Sequence, residues 1–157
     1  MKGNDKVIEA LNKALHEELI ALSQYFVHAE MCENWKYIRL AKEIKKQSIG
    51  EMKHAEKLIE RILFLEGAPN LAQPTHLKIG KTVKEQLEND LAAEHDAVKM
   101  YNEFVALARA QADNGSAELF TALLEDEEEH ADWLEAQLGL VESLGYQTYL
   151  SKQLPAD

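Results

Sequence analysis

Apolar residues recur at helical spacing over four long stretches of the chain. Between about Asp5 and Asn34 they are Val7, Leu11, Leu15 and Leu22, with Ala14, Ala21 and Ala29 beside them, which is the signature of one buried helix face. Asp5 is placed to cap this helix at its start. A second periodic run extends from about Ile38 to Glu66 and stops at Gly67, with Pro69 just beyond, a common pair of helix-ending residues. Residues Gly67 to Thr82, with Gly67, Pro69, Pro74 and Gly80, read as a connection. A third helix is predicted from about Val83 to Asp113. The segment "DNGS" (Asp113 to Ser116) then breaks the pattern, Ser116 is placed to cap a fourth helix, and that helix runs to about Leu144. After Gly145, "YQTYLSKQL" predicts a short fifth helix.

Helices of about thirty residues are roughly 40–45 Å long at ~1.5 Å per residue. Only a few residues join the first to the second and the third to the fourth, so each pair must form an antiparallel hairpin. The middle connection has sixteen residues and reaches about 50 Å when extended, enough to run the length of a bundle. The pattern therefore predicts an all-α four-helix bundle, up-down-down-up with a long crossover, plus a short C-terminal fifth helix. A chain of 157 residues is expected to form a single domain over its whole length.

Composition agrees with helix: Ala, Leu, Glu, Lys and Gln dominate, and only three prolines and seven glycines interrupt them. The formal net charge of −11 argues against nucleic acid and anionic membrane as partners. It suits solubility and attraction of cations, although a solvated acidic surface alone explains it as well. Cys32 is the only cysteine, so neither an intrachain disulfide nor a Cys-x-x-Cys metal knuckle is available. The opening "MKGNDKVIEALNK" lacks the apolar core of a signal peptide, and no run is long enough to span a membrane. A cytoplasmic location is the expectation.

The chemistry emerges from a repeat. Glu51 and His54 form a Glu-x-x-His pair on the second helix, and Glu127 and His130 form another on the fourth, 76 residues further on. The same offset carries Glu18 onto Glu94, Leu11 onto Leu87, Leu15 onto Leu91, Ala21 onto Ala97, Tyr25 onto Tyr101, Ala55 onto Ala131 and Leu58 onto Leu134. Each hairpin thus offers one Glu from its first helix and one Glu-x-x-His from its second. Residues three apart lie about 60° apart around a helix, so Glu51 and His54 point the same way, as do Ile44, Leu58, Ile62 and Leu65. Glu18 shares a face with Leu11, Leu15, Leu22 and Tyr25. Glu94 shares one with Leu87, Leu91, Val98 and Tyr101, and Glu127 and His130 with Leu123, Leu134 and Leu138. A single Glu-x-x-His is ordinarily helix-surface polarity. Six such residues on core faces at one depth are not, because buried charge must be paired or bound to metal.

This is the ligand pattern of di-iron carboxylate bundles. Four carboxylates carry −4, and two Fe²⁺ carry +4. Oxygen-rich ligation with one imidazole per metal suits iron or manganese better than structural zinc. Glu51 and Glu127 suit a bridging pair, with Glu18 and Glu94 terminal. Met52 sits inside the first motif but points about 130° from its midline, so it cannot ligate there. Its outward neighbours Ile49, Ile59 and Leu63, with Ile8, Leu19 and Phe26 on the first helix, form a second apolar stripe that two-fold self-association would bury. On spacing alone Met52 reads as interface filler before haem ligand.

The stretches "KVIEALNK", "EELIALSQYF", "EMKHAEKLIERILFLEG" and "EDEEEHADWLEAQL" make the whole chain resemble bacterioferritin. The resemblance implies a ferritin-like fold assembled as a 24-subunit cage of two-fold dimers. It implies a dinuclear ferroxidase centre holding two iron ions per subunit on Glu18, Glu51, His54, Glu94, Glu127 and His130. It also implies haem b between two-fold-related subunits with Met52 as axial ligand, reversing the spacing-based reading. The implied function is iron storage and detoxification: Fe²⁺ is oxidised by O₂ or H₂O₂, ferric mineral accumulates in the cage, and a ferredoxin-type reductant releases it. The chain departs from the family at several positions. Many members carry His and Asp, an inner iron site, where this chain has Lys46 and Gly50; a glycine has no side chain and an exposed lysine is cationic. Lys45 replaces a tyrosine near the haem, and Leu58 an aromatic residue of some members. Trp133 matches a tryptophan near the site. Tyr25 and Tyr101 each follow a site glutamate by seven residues. Each can hydrogen-bond a carboxylate, donate an electron or simply fill the core.

Two rival readings differ in class. A rubrerythrin-like diiron peroxidase without storage usually brings a four-cysteine iron domain, which a single cysteine cannot build. A non-catalytic helical scaffold with an incidental zinc site would consume no O₂ on Fe²⁺ addition. The acidic run Glu125 to Glu129 reads as a solvated face apart from Glu127, and His16, His28, His76 and His95 as surface or packing residues.

Overall fold

The computed structural model describes residues 1–71 and 76–156. Its elements, in chain order, are α1 (Asp5–Asn34), α2 (Ile38–Phe64), α3 (Val83–Ala110), α4 (Asn114–Leu144) and α5 (Tyr146–Ser151). The expected five-helix order is present, and Pro74 lies outside the described residues.

The helix ends differ from expectation for local reasons. Asn4, not Asp5, caps α1: its side chain accepts the Lys6 backbone N–H. Asp5 becomes the first helical residue, where its charge favours the positive end of the helix dipole. Asp113, not Ser116, caps α4. Its carboxylate accepts both the backbone N–H and the hydroxyl of Ser116, at 2.9 and 2.8 Å, and the Arg61 guanidinium at 2.8 Å. α2 ends at Phe64, two residues short of Glu66, because Glu66 itself adopts the left-handed φ of 63°. Gly67 serves close approach instead: a Cβ there would stand 2.8 Å from Ile8 Cγ2. α3 ends at Ala110, before the expected Asp113, as Ala112 takes φ 55°.

Cross-helix contacts fix the direction of every helix. Along α1 and α3, Asn4 meets Gln111, Glu18 meets Tyr101, Gln24 meets Asp90, and Cys32 meets Gln86. One number rises as the other falls, so α3 is antiparallel to α1. The same holds for α2 and α4, where Arg61 meets Ser116 and His54 meets Asp126. The Ser48 hydroxyl donates to Leu22 O and Gly3 N–H to Leu65 O, making α1 and α2 a hairpin. α2 and α3 therefore run parallel, and the bundle is up-down-down-up.

The crossover lies along α1. Asn12 binds Ala68 O and Asn70 N–H, Gln24 Oε1 accepts Lys78 N–H, and His28 Nε2 accepts Gly80 N–H at 3.0 Å. Gly80 is required there, since a Cβ would stand 2.4 Å from Gln86 N. His28 is fully buried, so of its two expected roles, surface or packing, it takes the second. Because its Nε2 accepts, its Nδ1–H donates to Asp90 Oδ2 at 3.0 Å, beside a 2.8 Å bond from Gln24 Nε2 to Asp90 Oδ1. The pair thus ties loop, α1 and α3 together inside the core.

Apolar side chains pack as two clusters. One holds Leu11, Leu15, Leu58, Ile62, Tyr101 and Phe120; the other holds Tyr25, Leu40, Ile44, Leu87, Leu134 and Tyr149. Between them lies a polar layer. Replacing Asp90 by Ala strands the buried Nδ1–H of His28 and one N–H of Gln24. It is expected to cost about 1–3 kcal/mol for each donor, read as a lower urea midpoint at fixed protein concentration.

Candidate metal centre

The polar layer is built from one residue or pair per helix: Glu18 on α1, Glu51 and His54 on α2, Glu94 on α3, and Glu127 and His130 on α4. All four glutamates are buried. Their atoms form two overlapping groups, Glu18–Glu51–His54–Glu127 and Glu51–Glu94–Glu127–His130, with the atoms of each within 4.8 Å of one another. Glu51 and Glu127 belong to both. The six residues singled out from the sequence are thus brought to one place.

The two halves match. His54 Nδ1 stands 2.9 Å from Glu127 Oε1, and His130 Nδ1 stands 3.0 Å from Glu51 Oε1. His54 Nδ1 is 3.4 Å from Glu18, and His130 Nδ1 is 3.5 Å from Glu94. Tyr101 donates its hydroxyl hydrogen to Glu18, and Tyr25 donates to Glu94. The 76-residue offset read from the chain is therefore a spatial pseudo-two-fold.

Seven atoms of the layer are buried and make no well-directed hydrogen bond, the two imidazole nitrogens lying only at ion-pair distance from the carboxylates: Glu18 Oε2, both oxygens of Glu51, His54 Nδ1, Glu94 Oε2, Glu127 Oε1 and His130 Nδ1. Buried polar atoms rarely go unmatched. Here every orphan belongs to a metal-ligating residue type and faces the same small space, so the donor set fits a pair of divalent cations.

Proton affinities follow from the crowding. Burial raises Glu51, and the nearby Glu18 and Glu94 charges raise it further. Burial likewise raises Glu127, helped by Glu51 and Glu18. Burial alone would raise Glu18, but contacts with Glu51, His54 and Tyr101 outweigh it and leave it below the ordinary carboxylate value. Burial opposes charge on His54, yet its contacts with Glu127, Glu18 and Glu51 prevail and raise it. His130 is raised in the same way, chiefly by Glu94. Without cations the layer holds protons that neutralise part of its charge.

Sequence reasoning missed Asp126. It lies in the acidic run that reads as a solvated face, but its carboxylate accepts the His54 Nε2–H at 2.8 Å. The usable signal was its position beside Glu127, one residue off the site face. Also missed was the Gln24–His28–Asp90 cluster. Asp90 precedes Glu94 by one helical turn and His28 follows Tyr25 by one, so both lie on core stripes. A cavity of about 900 Å³ opens between α1 and α3 and is lined by His16, Ala97 and Met100 together with Glu18, Glu51, Glu94 and Glu127. It links the surface to the polar layer.

Met52 stands apart, 44% exposed, among the exposed Phe26, Ile49, Leu63 and Phe64. The outward stripe is narrower than expected, since Ile8, Leu19 and Ile59 pack partly against the core. Lys45 and Lys46 are exposed, and a Cβ at Gly50 would meet open space. No helix among the described residues is long and apolar enough to cross a membrane.

Comparison with known proteins agrees with this architecture. The ferritin-like domain profile matches residues 8–144. Bacterioferritin of Rhodobacter capsulatus is 49% identical over 149 residues, covering 95% of this chain and 92% of that protein, and bacterioferritin of Brucella melitensis biotype 1 matches to the same extent. Bacterioferritin BfrA of Mycobacterium tuberculosis is 42% identical over 149 residues, covering 95% and 94% of the two chains. The structure of that organism's bacterioferritin, BfrA, superposes with a TM-score of 0.97 at 40% identity, covering 99% of this chain and 98% of that one. With likeness in sequence and fold running nearly end to end, the chain belongs to the bacterioferritins.

Proposed function

We propose that this protein stores and detoxifies iron, oxidising Fe²⁺ at the polar layer and depositing ferric mineral inside a multimeric cage. The observation that carries the reading is the set of seven buried donor atoms that lack a well-directed hydrogen bond and fall in two overlapping groups. Glu18 and His54 hold one Fe²⁺, Glu94 and His130 hold the other, and Glu51 and Glu127 serve both. Each Fe²⁺ gives up one electron. O₂ takes two electrons and two protons to leave as H₂O₂, or H₂O₂ takes two electrons and two protons to leave as two waters. The side chains contribute geometry and charge: four carboxylates balance two divalent ions, and the tyrosine hydroxyls on Glu18 and Glu94 hold the terminal carboxylates in place. The cavity between α1 and α3 gives Fe²⁺ a way in.

Met52 belongs to a second reading of the same family. Its thioether is a soft iron ligand on an exposed apolar face, which suits haem b held between two subunits, each giving one Met52. A haem supplies one-electron transfer, which fits release of stored iron by a ferredoxin-type reductant. The assembly this implies is a 24-mer of two-fold dimers, working in the cytoplasm.

Loading has a proton cost. Glu51, Glu127, His54 and His130 all hold protons to higher pH than the free groups do, and each must lose its proton to ligate. Binding of Fe²⁺ or Co²⁺ at pH 7 is therefore expected to release protons and to strengthen as pH rises. Calorimetry in buffers of different ionisation enthalpy measures this, and binding with no net release would contradict it. Glu18→Ala or His130→Ala is expected to slow Fe²⁺ oxidation by at least about 100-fold while the bundle still assembles. A normal rate by stopped-flow absorbance would refute the assignment. Met52→Leu is expected to remove the haem Soret band and leave Fe²⁺ oxidation in place.

A further inference from the structure

The pseudo-two-fold holds for every pair of the polar layer but one. The contact between Asp126 and His54 maps, by the same 76-residue offset, onto residue 50 and His130. Residue 50 is glycine. The His54 ring is therefore held at both ends: Nδ1 faces the carboxylates, and Nε2–H donates to Asp126 at 2.8 Å. The His130 ring is held only at Nδ1, and among the described residues no hydrogen bond reaches its Nε2. Its side chain is 19% exposed against 5% for His54. A Cβ at Gly50 would have nothing within 4 Å, so the position has room for a side chain.

A carboxylate behind a metal-bound imidazole fixes its tautomer and orientation and makes it a better donor; losing it typically costs 10–100-fold in metal affinity. We propose that the two metal positions of this protein are unequal by construction. The Glu18–His54 position, backed by Asp126, fills first and retains its ion. The Glu94–His130 position, unbacked because residue 50 is Gly, fills second and exchanges faster. Asp126 acts as a positioning residue, and Gly50 is the place where the second one is missing. The inference rests on the cluster holding two divalent ions.

Co²⁺ tests it without redox chemistry. The metal-free protein is titrated with Co²⁺ by visible absorbance, which reports the coordination of each ion. Crystals prepared at one Co²⁺ per subunit are read by anomalous scattering. The first ion is expected at the Glu18–His54 position, with the second bound about ten-fold or more weakly. Gly50→Asp is expected to strengthen the second site about ten-fold and narrow the gap. Gly50→Asn, whose Oδ1 accepts the same hydrogen bond without added charge, is expected to keep part of that gain. Asp126→Ala is expected to weaken the first site by about 10–100-fold. Mutual repulsion of two cations would also give two binding steps, but it would not choose which position fills first or respond to residue 50. Equal occupancy of both positions at one equivalent, or unchanged affinities in Gly50→Asp, overturns the asymmetry alone. A gain with Asp and none with Asn overturns the hydrogen-bond explanation. Failure to bind any Co²⁺ overturns the metal reading itself, and this inference with it.

Discussion

Four carboxylates at one level of a helical core are the constraint from which the rest of this structure follows. A buried carboxylate without a counter-charge is too costly to keep. Here Glu18, Glu51, Glu94 and Glu127 face one another with only two imidazoles among them. Without cations, protons retained by Glu51, Glu127 and the two imidazoles offset part of that charge. On the proposed reading, two divalent ions take the place of those protons with charge that balances the four carboxylates.

The scaffold compensates on both sides of the layer. Two apolar clusters, one above and one below, bury Leu11, Leu58 and Phe120 at one end and Ile44, Leu87 and Tyr149 at the other. Two tyrosines bridge from those clusters into the layer, each through its hydroxyl to a carboxylate. Burial, then the charge of its own glutamate, pushes each phenol well above its usual value, so both stay protonated as donors. The same logic operates at the crossover, where Asp90 is satisfied by Gln24 and His28 and the loop backbone completes the network. A segment with little secondary structure is thereby fastened to α1, and α2 and α3 run parallel.

Fold class and the set of six polar residues that converge in the core were legible because both depend on period. Helical spacing of Val7, Leu11 and Leu15 marks a face, and the 76-residue offset marks six polar residues lying on such faces. Asp126 and His28 were not legible in this way. One sits half-exposed in an acidic run, and the other has no partner at helical spacing. Each gains its meaning from a residue 72 or 62 positions away. Caps failed for a related reason: Asn4 lies one residue before Asp5 and Asp113 three before Ser116, and the choice between nearby polar residues depends on backbone angles at a helix end.

The sequence by itself therefore determined the helices, their order, the long connection and the identity of the six residues aimed inward, because periodicity and chain length are properties of one dimension. Only the tertiary structure decided which nitrogen of each histidine meets the carboxylates, and that His54 is backed while His130 is not. Those features arise where helices distant in sequence approach within a hydrogen bond. At that range direction and distance matter, and helical period carries neither.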